Sequence, residues 1–171
     1  CTVCHTIKVS KRSFNCVNQQ IAILDTSSLI NLTHLKCEEN NISSLNVSMA
    51  PNLIYLSCYG NNLVTLNVAG LSNLKYLRCS DNQITTLNLT NSTSLELLFA
   101  ENNNLTSLNL SNLPNLTLAS LSYNMLTTLT TYNLPSLTNL DCSANQLTSL
   151  DVSTLPALLG LGAGGNQLTS V

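Results

Sequence analysis

Residues Leu137 to Ser153 read L-T-N-L-D-C-S-A-N-Q-L-T-S-L-D-V-S. Within this stretch the apolar residues alternate around Leu140 and Cys142, and again around Leu150 and Val152. An alternation of period two is a strand signal, and nothing in the stretch recurs at the 3.6-residue period of a helix. A single Asn, Asn145, stands between the two alternating runs.

The pattern returns along the whole chain. Asn40, Asn61, Asn82, Asn103, Asn124, Asn145 and Asn166 are 21 residues apart, and so are Leu32, Leu53, Leu74, Leu95, Leu116, Leu137 and Leu158. With those Leu residues as position 0, position 3 holds Phe14, Leu35, Leu56, Leu77, Leu98, Ala119, Leu140 and Leu161. Position 5 holds Cys16, Cys37, Cys58, Cys79, Ala100, Leu121, Cys142 and Ala163. Position 10 is Ile or Leu from Ile21 to Leu168, and position 13 is Leu from Leu24 to Leu150. The unit is L-x-x-L-x-C-x-x-N-x-L-T-x-L-x-V-S-x-L-P-x. It has no room for two strands, two turns and a helix. The spacing therefore predicts an all-β solenoid, with two extended segments per coil stacked in register into parallel sheets. One unit cannot bury its apolar edge, whereas seven or eight stacked units can. Residues 1–10 fall outside the register and read as an N-terminal cap segment, leaving 11–171 as the solenoid. The recurring Asn serves the turn, because its amide both donates to and accepts from backbone groups that strands leave unpaired.

Composition narrows the function. The chain has 171 residues, 36 of them Leu and 25 Asn, with charged residues at 8% and a net charge of -2. All six basic residues lie at or before Arg78, and from Cys79 onward there are five acids and no base. Such a surface repels phosphate, which argues against nucleic acid as partner. No apolar run reaches the length of a membrane span. The start at Cys1 reads as processing or as a fragment. A partial last coil ending at Val171 leaves an open strand edge, from which we expect either more protein or end-to-end self-association.

The unit resembles the leucine-rich repeat, in the short 21-residue bacterial class. The Leu137–Ser153 spelling, with Cys at one consensus Leu position, is similar to the cysteine-ladder internalins and to surface repeat proteins of Bacteroidetes. That resemblance implies a secreted or cell-surface binding module for protein or glycan, often an adhesin, without enzymatic activity or a cofactor.

The Cys column also accepts Ala and Leu, which points to buried, reduced thiols packed as small apolar groups. It is linear and holds no His, so it does not suit a metal. Cys1-Thr2-Val3-Cys4-His5 spells C-x-x-C-H, the haem attachment pattern, which keeps open a c-type haem electron-transfer reading at Cys1, Cys4 and His5 beside a cap disulfide and a free or lipid-linked Cys1. His34 and Cys37 fall on opposite strand faces and the acids form no recurring pair, so no catalytic residues are expected. Eight N-x-S/T sequons follow from the Asn-rich repeat and do not by themselves indicate glycosylation.

Two solvent faces remain. Positions 2, 4 and 6 of the first segment are expected outside, and they gather Tyr55, Tyr59, Tyr76, Arg78 and Phe99 into one patch, a ligand-binding candidate. Ser57 and Glu38 belong to the same exposed columns. The second segment presents ranks such as Thr65-Asn67-Ala69 and Thr86-Asn88-Thr90. That hydroxyl-rich face keeps open an ice-binding or surface-adsorbing reading.

Overall fold

The computed structural model describes residues 12–26 and 29–169. Twelve three-residue strands and no helix make up these parts: β1 Ser13–Asn15, β2 His34–Lys36, β3 Tyr55–Ser57, β4 Thr65–Asn67, β5 Tyr76–Arg78, β6 Thr86–Asn88, β7 Leu97–Phe99, β8 Ser107–Asn109, β9 Leu118–Ser120, β10 Thr128–Thr130, β11 Asn139–Asp141 and β12 Gly160–Gly162. The position-3 residues each lie at the centre of a strand. They pair with one another in one eight-stranded parallel sheet of order β1-β2-β3-β5-β7-β9-β11-β12. Leu35, Leu56, Leu77 and Leu98 are fully buried there, and the position-0, position-10 and position-13 columns complete a single continuous core.

The ladder continues beyond each strand. Cys37 N donates to Ser57 O at 2.9 Å, Cys58 N to Arg78 O at 2.8 Å and Cys79 N to Phe99 O at 2.8 Å. Two residues later the chain turns in a left-handed conformation. Asn18, Glu39, Gly60, Asp81, Asn102, Tyr123, Ala144 and Gly165, all at position 7, have φ between 51° and 69°. This bend delivers the position-8 Asn into the interior.

That Asn closes the accounts of the turn. Asn103 Nδ2 donates to Ala100 O, Glu101 O and, in the preceding coil, Cys79 O, at 3.0–3.2 Å. Its Oδ1 accepts Ile84 N at 2.9 Å. Asn61, Asn124 and Asn145 repeat the arrangement. A buried turn would otherwise hold carbonyls and an amide with no partner. The far side of each coil closes with successive i→i−3 bonds, such as Leu71 N to Val68 O at 3.1 Å and Leu74 N to Leu71 O at 2.9 Å. Where this side swaps an apolar residue for a polar one, the neighbouring coil satisfies it. Ser92 Oγ donates to Val68 O at 2.9 Å and Thr131 Oγ1 to Asp151 O at 2.8 Å.

The second extended segment is weaker than the sequence predicts. It forms only two two-stranded pieces, β4-β6 and β8-β10. Asn67, Asn88 and Asn109 at position 14 use their side-chain oxygens locally, accepting from the backbone amide two residues on at 2.8–3.1 Å. Such an Asx turn ends the extended run, although inter-coil bonds continue past it, with Val68 N donating to Asn88 O at 3.1 Å and Leu110 N to Thr130 O at 2.9 Å.

Candidate binding face

Parallel register decides what meets on the outer face of the eight-stranded sheet. Tyr55 pairs with Tyr76 and Ser57 with Arg78, and Arg78 pairs in turn with Phe99. The Tyr55 and Tyr76 ring centroids are 6.2 Å apart, and His34 stacks on Tyr55 at 6.0 Å with 17° between planes. Lys36 Nζ lies 5.5 Å from the Tyr55 centroid. The Arg78 guanidinium sits 5.5 Å from both the Tyr59 and the Phe99 centroids. Tyr59 O–H donates to Glu39 Oε1 at 3.2 Å, and that bond holds the phenol above its usual titration range. All five sequence-derived candidates, Tyr55, Tyr59, Tyr76, Arg78 and Phe99, thus share one surface. The rings are partly covered by one another and Arg78 is exposed.

Three residues of the expected outer columns are not outside, among them Ser122 at position 6, which is 8% exposed. Ser57 is fully buried and Glu38 is 6% exposed. Ser57 is short and lies in register between Lys36 and Arg78, with Tyr55 and Tyr59 two residues to either side. These longer side chains close over it. Ser57 Oγ and Glu38 Oε2 have no hydrogen-bond partner.

The face is not flat. A depression of about 500 Å³ is lined by Tyr59, Arg78, Ser80, Asp81, Phe99, Glu101, Asn102, Ser122 and Tyr123. It exists because Ser80 and Ser122 are small on either side of Glu101. Ser80 Oγ donates to the Glu101 carboxylate, and Asn102 Nδ2 donates to Asp81 Oδ1 at 2.9 Å. A second, more apolar trough follows along Phe99, Leu118, Ser120, Asp141 and Gly162. Asp81, Asn102 and Tyr123 were not singled out from sequence. A signal was present, since a Tyr stands in a column otherwise made largely of Gly, Asn and Asp.

The Cys column behaves as expected. Cys37, Cys58, Cys79 and Cys142 are buried free thiols, and Cys16 is buried in the same column. Burial raises the Cys79 thiol to about 12 and Cys142 to about 11, and pushes Cys37 and Cys58 up as well. Among the described residues no three His, Cys, Asp or Glu side chains cluster as metal ligands. The C-x-x-C-H residues Cys1, Cys4 and His5 lie outside the described residues.

Known structures share this architecture. The functional domain of InlJ from Listeria monocytogenes, which includes a cysteine ladder, superposes with a TM-score of 0.73 at 28% identity over 94% of this chain and 41% of that one. A leucine-rich-repeat protein from Leptospira interrogans gives 0.74 at 34% identity over 84% of this chain and 40% of that one. This chain is a leucine-rich-repeat solenoid with a cysteine ladder. The leucine-rich effector protein YopM from Yersinia pestis is also similar, with a TM-score of 0.69 at 25% identity over 91% of this chain and 49% of that one. The solenoid spans about two fifths of the length of the Listeria and Leptospira proteins. No protein-family model matches the sequence, and neither does any curated protein. Among the described residues no helix is long and apolar enough to cross a membrane.

Proposed function

We propose that this leucine-rich-repeat solenoid is a non-enzymatic protein-binding module of a secreted or cell-surface protein, and that the outer face of its eight-stranded sheet docks the partner. The observation that carries this reading is Arg78 held between Tyr59 and Phe99, beside the Tyr55–Tyr76 ring pair. Aromatic rings and Arg are the residues that dominate protein interfaces, because each buries much area with little loss of side-chain freedom. Stacking here fixes the guanidinium before a partner arrives, which lowers the ordering cost of association. The similarity to InlJ and YopM supports a binding role over a catalytic one.

The hydroxyl-rich side is the weaker docking candidate. Its Asn67, Asn88 and Asn109 oxygens are engaged in their own turns, and its strands form two separate pieces. The test is adhesion of protein-coated beads to cultured cells. Tyr55→Ala with Tyr76→Ala should abolish most adhesion, while Thr86→Ala with Thr128→Ala should not. Adhesion that survives the Tyr pair and disappears with the Thr pair would move the working surface to the other side. Thermal hysteresis in the wild-type protein would favour an ice-binding solenoid instead.

A further inference from the structure

The depression beside Arg78 has a chemistry of its own. Its charged lining is one guanidinium, Arg78, against two carboxylates, Asp81 and Glu101, a net charge of -1. Arg78 is engaged by two rings. Among the described residues the one ion pair is Lys75–Glu96, so neither Asp81 nor Glu101 forms an ion pair with Arg78. Each is held by a single neutral donor, Asn102 Nδ2 and Ser80 Oγ respectively, which fixes the carboxylate and leaves its other lone pairs open. Residues 79–171 hold five acids and no base, so the adjoining coils do not offset this negative field.

Tyr123 completes the depression and is an anomaly of the fold. It is 66% exposed, with φ at 55°. The coil imposes that backbone: Tyr123 N donates to Ser143 O at 3.1 Å, and Tyr123 O accepts Asn103 N at 3.2 Å. Left-handed φ is costly for a residue with a bulky side chain and cheap for Gly or Asn, which occupy the same column at Gly60, Asn102 and Gly165. A ring that covers no core and opposes its own backbone preference is a mark of selection for something other than stability.

We propose that this depression receives a lysine or arginine side chain of the partner protein, stacked on Tyr123 and opposed by Asp81 and Glu101. The inference rests on the docking reading above and names the partner's contact chemistry. A cation over a tyrosine face is attracted by the ring's electron density, and the flanking Tyr59 and Phe99 rings thin the water that would screen the carboxylates.

The experiment is an NMR titration of the whole protein with the peptides acetyl-Gly-Arg-Gly-amide, its Lys counterpart and its Glu counterpart, followed at the Tyr and Phe rings and the Asn102 amide. The Arg and Lys peptides should give saturable shifts confined to this corner, and the Glu peptide none. Asp81→Asn with Glu101→Gln should weaken the Arg peptide about tenfold, and added salt should weaken it further. Tyr123→Phe should bind as wild type. Tyr123→Asn should weaken binding about fivefold and yet raise Tm by about 2 °C, a split that a merely structural Tyr would not produce. An equal response to the Glu peptide, or undiminished binding in the double carboxylate variant or in Tyr123→Asn, would overturn the proposal. If beads adhere through Tyr55 and Tyr76 while the basic peptides ignore this corner, the inference fails and the docking face stands. If the peptides bind here but the Tyr pair is dispensable for adhesion, the broader docking reading fails instead.

Discussion

Raising the pH should unfold this protein through its cysteine ladder. In the unfolded chain each thiol titrates at its ordinary value of 9.0. In the fold, burial raises Cys142 to about 11 and Cys79 to about 12, and Cys37 and Cys58 rise also. A folded pKa above the unfolded one favours the neutral thiol in the native state. The associated stability is complete below pH 9 and is lost as pH climbs toward the folded values. Between about pH 8 and pH 10 a thiol kept neutral by the fold should cost roughly 1 kcal/mol of stability, so these four together should cost several kcal/mol. That is a large share of the ~5–15 kcal/mol by which domains are stable. The assay is urea denaturation under reducing conditions at both pH values. Replacing Cys37, Cys58, Cys79 and Cys142 by Ala, the residue already present in the column at Ala100 and Ala163, should abolish most of the difference between the two pH values. A single Cys58→Ala should remove about a quarter of it. An alkaline loss equal in the wild type and the four-alanine variant would refute the reasoning.

Three further outcomes follow from the geometry. Asn103→Asp should cost about 3 kcal/mol at neutral pH, lowering Tm by roughly 6–12 °C, because a carboxylate would face three carbonyl oxygens; acid should restore part of the loss by protonating it, and thermal melts at two pH values check the sign. Cys58→Ser should destabilise by about 1–3 kcal/mol in chemical denaturation and Cys58→Ala by less, since a hydroxyl loses its water with no assured partner. Tyr55→Ala with Tyr76→Ala should leave Tm almost unchanged, because these rings lie on the outer face, and a large drop would make them part of the core.

The 21-residue register by itself specified the solenoid, the parallel pairing, the buried Cys column and the gathering of Tyr55, Tyr76, Arg78 and Phe99. In a one-dimensional stack each residue's lateral neighbour is the residue one period away, so sequence spacing is nearly a contact map. The Asn column was legible for the same reason, since its role repeats in every coil. Contacts set by side-chain length and backbone hand were left to the tertiary structure. Ser57 occupies an outward position, yet it is buried because Lys36, Arg78, Tyr55 and Tyr59 are long enough to cover it. The second ladder forms two separate pieces, β4-β6 and β8-β10, a break that the uniform register does not mark. The depression joining Arg78, Asp81, Glu101 and Tyr123 draws on three coils at once, at positions 4, 6 and 7. Only the left-handed bend at position 7 aims Asp81 and Tyr123 at the sheet face. Periodicity reports which residues stack, but that bend depends on φ, and φ becomes visible only in the folded chain.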